Sequence, residues 1–181
     1  ELPSGRNNIG EIVTRTKLPI KLEYYNLEVD LGTKIGEDRW FYTGDYGYRD
    51  NDGFIYFMGR KTELFKREGE IFFASDIEQL ANSHPLILNS AVEKVREHDS
   101  SKDAFKIWAK IKDESSMSHS GFHSYLKENL AYFMVPRYIE FRKDLPKNAN
   151  EFVQKFILKE DWEKKSSKQN TYDTKLQKFL D

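Results

Sequence analysis

Residues 40–78 read WFYTGDYGYRDNDGFIYFMGRKTELFKREGEIFFASDIE. The aromatic runs at 39–43 and 54–58 suit strands. Between them the cluster Arg49-Asp50-Asn51-Asp52-Gly53 predicts a turn, and its Asp-Gly step favours a hairpin. Further on, residues 63–67 (ELFKR) and 70–73 (EIFF) flank Glu68-Gly69, which predicts a second hairpin. Ser75 followed three residues later by Glu78 predicts a capping box that opens a helix over 76–82.

The pattern extends both ways from this stretch. Residues 9–16 alternate apolar and polar side chains and predict a strand, so residues 1–58 are expected to be all-β. Residues 88–95 and 104–112 alternate similarly. Phe122, Tyr125, Leu126 and Leu130 recur at helical spacing, which predicts a helix over 117–131. Ser118 or Ser120 is its expected cap, and Pro136 follows its stop. Residues 138–142 predict another strand. Hairpin, helix, two strands, helix, strand is the order of an α+β domain, expected here over residues 61–162 as a β-hairpin and a three-stranded sheet packed by helices. Residues 163–181, rich in Lys, Ser and Gln, read as a weakly ordered polar tail.

Composition narrows the function. With 29 basic and 30 acidic residues, the net charge of −1 is unlike a nucleic-acid or anionic-membrane footprint. The chain is 38% hydrophobic and 14% aromatic, enough for a real core. Absence of cysteine excludes disulfides, zinc thiolates and a cysteine nucleophile, and suits a cytoplasmic protein. No apolar run approaches the roughly 18–20 residues that span a bilayer. The opening ELPSGRNNIG has no leader pattern, lacks Met and starts mid-motif, so the chain reads as a fragment of something longer. His119 and His123 are four residues apart, but without a neighbouring carboxylate they read as solvated helix positions rather than a metal site.

Several short motifs occur in a fixed order: Thr43-Gly44-Asp45, Gly59-Arg60, Lys66 with Gly69-Glu70, Asp76-Ile77-Glu78, then Leu145-Pro146-Lys147-Asn148. Each alone has a plain explanation. Asp45 suits a turn, Arg60 a surface ion pair, and Lys66 a solvated position in a hairpin. Their chemistry also suits a nucleotide. A carboxylate accepts two hydroxyl hydrogen bonds at once, as a ribose diol requires, and a guanidinium fork matches phosphate oxygens.

In that order the motifs resemble the C-terminal third of the adenylate-forming superfamily, which includes acyl-CoA synthetases, adenylation domains and luciferases. The similarity runs from Gly5 to Glu160 and is nearest in kind to small-acid CoA ligases of the crotonobetaine/carnitine type. It implies that residues 1–60 end a large N-terminal domain as part of its β-barrel. It implies a hinge at about 60–62 with Thr62 at its centre, and a mobile α+β domain beyond. It places Asp45 and Arg60 on ATP or AMP, Lys66 in the thioester half-reaction, and Gly69 and Glu70 along the CoA tunnel. ATP, Mg2+, CoA and a carboxylic acid are the implied ligands, and the large domain the implied partner.

One position departs from the family. Its catalytic loop reads roughly Leu-Pro-Lys-Thr-x-Thr-(Gly or Glu)-Lys-(Ile or Val)-x-(Arg or Lys). Here Glu151, Val153, Gln154 and Lys155 align, and Phe152 fills the adenylation lysine slot. An ammonium there would stabilise charge on the phosphoryl oxygens, and losing one such contact costs ~3–4 kcal/mol. The ten glycines are dispersed, with no phosphate loop. The chain alone is therefore expected to be inactive. A non-catalytic binding or regulatory module, or part of a carrier-protein-acylating adenylation domain, are the alternatives.

Overall fold

Asp50 shapes the first hairpin. Its carboxylate accepts the backbone N–H groups of Asp52 (3.0 Å) and Phe54 (2.9 Å), and Gly53 closes the turn at φ +91°. This is a computed structural model, and it describes residues 2–5, 7–15, 40–100, 102–112, 117–164 and 168–180. Thr16 and Arg39, at the ends of two expected strands, lie outside them, as do residues 165–167 and 181 of the expected tail.

The chain divides into two units, Glu1–Leu64 and Phe65–Asp181. In the first, β1 (Gly10–Thr14), β2 (Phe41–Arg49) and β3 (Ile55–Arg60) form an antiparallel sheet in the order β1-β2-β3. No closed barrel is present among the described residues. Phe54, Ile55, Tyr56 and Phe57 are all largely exposed, so the edge strand presents apolar side chains on both faces. A 3-10 turn, Lys61–Glu63, follows β3 and contains Thr62.

From its second residue on, the hairpin strand β4 (Leu64–Arg67) belongs to the second unit, followed by β5 (Glu70–Phe73) and α1 (Ala74–Ser83). Next come β6 (Ile87–Arg96), β7 (Asp103–Ile111), α2 (His119–Asn129), β8 (Tyr138–Arg142), α3 (Lys155–Glu163), β9 (Thr171–Asp173) and β10 (Lys178–Phe179). The fold class is α+β as expected, but the main sheet has five strands rather than three, in the order β10-β9-β8-β7-β6. Only the β7–β8 pair is parallel, and α2 makes the crossover between those strands.

β7 lies between β8 and the edge strand β6, and both its faces are buried. Phe105, Ile107, Ala109 and Ile111 face a cluster that includes Phe65, Phe72, Ile77, Phe122 and Leu126, from the hairpin, α1 and α2. Ala104 and Trp108 face the other cluster, with Leu145, Leu158 and Trp162. The hairpin therefore packs on one face of the sheet, and α3 on the other.

Two expectations are corrected here. Residues 163–181 are not a weakly ordered tail. Thr171 and Asp173 are fully buried in β9, and β9 pairs with β8. Their polar side chains are satisfied by distant partners: Lys106 donates to the Thr171 hydroxyl at 2.7 Å, and Arg137 to Asp173 at 2.9 Å. Nor do Ser75 and Glu78 form a capping box. Helix α1 starts two residues earlier, Asp76 accepts the Phe73 N–H at 2.9 Å, and Glu78 reaches out of the helix. In α2 the cap is Ser118, which accepts the Gly121 N–H at 3.0 Å.

Candidate active site

The Thr43-Gly44-Asp45 motif is a bulge. Val13 pairs with Tyr42 and Glu11 with Tyr46, so four steps on β2 oppose two on β1. Such an insertion bends a strand and re-aims a side chain, and bulges concentrate beside active sites. The Thr43 hydroxyl donates to the Ile12 carbonyl (2.7 Å) and accepts the Asp45 N–H (3.0 Å). Gly44 takes φ +79°, a conformation that disfavours side chains, and its N–H donates to Glu11 at 3.1 Å. The other Glu11 oxygen pairs with Lys61 at 3.3 Å. Sequence reasoning missed Glu11; nothing in an alternating strand marks the one carboxylate that will pin a bulge 33 residues away.

The bulge sets Asp45 directly across from Arg60 on β3. The two charges come within 4.0 Å, with both side chains open to solvent, 42% and 75% exposed. That is a loose contact, and it leaves carboxylate oxygens and guanidinium N–H groups accessible on one surface. An acceptor pair beside a planar donor fork fits a ribose diol and phosphate oxygens, so the residues present suit a nucleotide.

In the second unit the Lys66 hairpin forms as expected. Its two turn residues, Glu68 (φ +55°) and Gly69 (φ +90°), both take positive φ, as a tight hairpin turn with the right twist demands. A Cβ on Gly69 would meet nothing within 4 Å, so the backbone angle rather than crowding calls for glycine there. Lys66 and Glu70 are exposed. Lys66 and Arg67 border a cavity of about 160 Å3 with Lys94, Arg137, Glu97 and Asp103. Arg137 is held by Glu97 (2.7 Å), Asp99 (3.1 Å) and Asp173 (2.9 Å), and its N–H groups keep the Glu97 and Asp99 carboxyls below their usual range, after Ser100 in the case of Glu97.

Phe152 sits in a tight loop between β8 and α3. Asn148 organises it: its Oδ1 accepts the N–H groups of Asn150 (2.9 Å) and Phe152 (3.0 Å), and its own N–H donates to the Phe152 carbonyl (2.9 Å). Glu151 takes φ +65° and pairs with Lys147 at 2.8 Å. The backbone is thus fixed while the Phe152 ring is 70% exposed. A bulky apolar side chain there fills no core. Lys155 pairs with Glu78 at 2.9 Å.

His119 is not a solvated helix position as its spacing suggests. His119 lies 4.1 Å from Phe141 and 4.8 Å from Phe179 by ring centroid, and burial pushes its pKa down. Among the described residues no three His, Asp or Glu side chains converge as a metal site would need.

Two curated proteins show what this arrangement is similar to. Crotonobetaine/carnitine–CoA ligase of Proteus sp. (strain LE138) is 36% identical over 152 residues, 83% of this chain and 29% of that protein. Its counterpart in Escherichia coli (strain ATCC 8739) is 37% identical over 153 residues, again 29% of its length. The chain belongs to the adenylate-forming acyl-CoA synthetases. It corresponds to their C-terminal portion.

Solved members of the family agree. ATP-bound MatB from Rhodopseudomonas palustris superposes with a TM-score of 0.73 at 26% identity, over 89% of this chain and 31% of that one. O-succinylbenzoate coenzyme A synthetase from Bacillus subtilis, in complex with AMP, gives 0.66 at 25% identity, over 88% and 33%. The chain thus spans about a third of the relatives it matches. No family model matches the chain. No helix among the described residues is long and apolar enough to cross a membrane.

Proposed function

We propose that this chain is the C-terminal part of an ATP-dependent acid–CoA ligase, one that forms an acyl-adenylate and then a thioester with CoA. The observation that carries the reading is the Asp45–Arg60 pair, aligned across β2 and β3 by a bulge and open to solvent. Asp45 would accept the ribose hydroxyls of ATP, and Arg60 would donate to nucleotide oxygens. Mg2+ would arrive with the nucleotide. Lys66, Gly69 and Glu70 would serve the thioester step along the path of CoA, with Thr62 as the hinge between the half-reactions. The carboxylic acid and the large N-terminal domain would complete the site, in the cytoplasm.

Phe152 lacks the charge and donors to stabilise phosphoryl oxygens. With no phosphate loop or acyl pocket in the sequence, the chain alone does not activate acids in this reading. Isolated chain should give no acid-dependent pyrophosphate exchange; a clear signal would overturn the proposal. In the full-length ligase Phe152→Lys should raise adenylation by about 10²–10³-fold, the usual worth of one such contact. No rise would remove Phe152 from the lysine slot.

Phe152 also favours a second reading, a non-catalytic binding or regulatory module that keeps the family fold. That module would hold AMP or CoA without turnover. Restored adenylation in Phe152→Lys, with CoA thioester appearing, would count against it. Use of a carrier-protein thiol in place of CoA would instead point to an adenylation domain.

A further inference from the structure

Beside the first turn of α2 the second unit holds a cleft of about 850 Å3, whose walls include Ile111, Ser118, His119, Phe141, Lys143 and Phe179. Clefts of roughly 300–1,000 Å3 with apolar walls and a few polar groups are the kind that take small ligands. Here the apolar walls are largely aromatic. The His119 ring lies 4.1 Å from Phe141 and meets Phe179 edge-on at 4.8 Å. Phe179 is 48% exposed, although Leu180 beside it is buried. It lies on β10, past Glu160, where the resemblance to the family ends.

The charges of the cleft are unevenly committed. Glu140 is spent on Lys106 and Arg142, and Asp144 on Lys110 at 3.0 Å. Arg142 is spent on Glu140 and Asp161. Lys143 is exposed and has no ion pair among the described residues. At the adjoining wall, Ser118 accepts the N–H groups of Gly121 and Phe122, which leaves those of His119 and Ser120 to an acceptor from outside the helix. His119 Nε2 is buried and has no hydrogen-bond partner among the described residues. Leaving such an atom unpaired costs ~1–3 kcal/mol. An uncommitted ammonium and an unpaired imidazole nitrogen thus belong to the same cleft as two phenyl rings.

We propose that this cleft binds a small aryl carboxylate, with its ring against Phe141 and Phe179 and its anion toward Lys143 and the start of α2. Aromatic walls suit an aromatic body, and a helix start beside a free cation suits an anion. One uncommitted cation matches a single negative charge. The inference uses neither the Asp45–Arg60 assignment nor that of the Lys66 hairpin, so it stands or falls apart from them.

The test is a titration of this chain with benzoate, followed by NMR. Benzoate should shift the resonances of Ser118, His119, Lys143 and Phe179 to saturation, while Gly53 and Gly69 stay in place. The His119 ring should titrate at higher pH with benzoate bound, since a nearby anion favours imidazolium against the burial that lowers its pKa. Lys143→Gln and Phe179→Leu, both at exposed positions, should each weaken benzoate binding several-fold. Benzamide and inorganic phosphate should leave the same resonances unmoved. No saturable shift with benzoate would overturn the site. Equal shifts with benzamide would overturn recognition of the anion, and equal shifts with phosphate would overturn the aromatic class. Benzoate binding that ignores both substitutions would place the ligand elsewhere and overturn the assignment.

Discussion

Lys106 and Glu140 form an ion pair inside the five-stranded sheet, with the Lys106 side chain fully buried. The ammonium lies 4.1 Å from the Trp162 ring centroid and 4.9 Å from Trp108, and donates to Thr171 at 2.7 Å. The second Glu140 oxygen pairs with Arg142 at 2.6 Å, and Arg142 pairs with Asp161 at 2.9 Å. Removing one partner of a buried pair strands the other charge. Glu140→Gln should therefore cost about 3–5 kcal/mol in urea unfolding. Lys106→Met should cost less, since Glu140 keeps Arg142.

The same lysine gives the unfolding curve an alkaline slope. Burial pushes the Lys106 pKa down to about 8 from an ordinary 10.5, against the pull of Glu140 and helped by Arg142 and Lys168. Between those values the unfolded chain binds the proton more tightly than the folded one. The contribution to stability then rises as pH climbs through that window. Unfolding midpoints measured across it should rise less steeply in Lys106→Met than in the parent.

On the acid side His119 acts in the same direction. Burial against Phe141, Tyr172 and Phe179 holds its folded pKa below the ordinary 6.5, with Glu140 opposing. As pH falls through 6.5, the unfolded chain protonates first, and stability is lost until the folded value is reached. His123 adds to the loss, since its pKa is also lowered, first by burial and then by Lys127. His119→Gln should flatten the fall in unfolding midpoint between neutral and mildly acidic pH. An unchanged slope in His119→Gln would leave His119 without a part in acid unfolding.

These buried polar groups mark where sequence reading stops. The hairpins were legible because Asp-Gly and Glu-Gly name their own turns, and α2 because its apolar residues keep helical spacing. The register puts Asp45 and Arg60, which their motif picks out, opposite one another. Strand β9 was not legible. It has three residues, two of them buried polar side chains, and its stability depends on Lys106 and Arg137 far away in sequence.

Glu78 shows how a residue can fit one local rule and serve another purpose. Its carboxylate accepts the Val92 N–H at 2.6 Å and pairs with Lys155 at 2.9 Å. Val92 lies on β6, an edge strand of the sheet, whose outward N–H at Lys94 is also covered, by the Glu93 carboxylate at 2.9 Å. Capping an edge this way discourages pairing with another chain. Glu78→Ala should cost about 1–3 kcal/mol, as a lost charged acceptor does. It should also raise concentration-dependent self-association, followed by light scattering. A monomeric variant of parent stability would show that the edge needs no such cover.

The loop that carries Phe152 separates fold from function. Its shape is held by Asn148, which accepts two N–H groups, and by the Gln154 N–H bond to the Pro146 carbonyl at 2.8 Å. The Phe152 ring contributes little to that shape, because it is mostly exposed. Phe152→Lys should therefore change the stability of this chain by less than about 0.5 kcal/mol. Asn148→Ala strips both acceptor bonds and should cost about 1–2 kcal/mol. If the full-length protein is the ligase proposed above, that same change should undo any adenylation gained by Phe152→Lys, because an ammonium on an unfixed loop loses its aim. If the double variant adenylates as fast as Phe152→Lys alone, the loop does not need the Asn148 turn to present position 152.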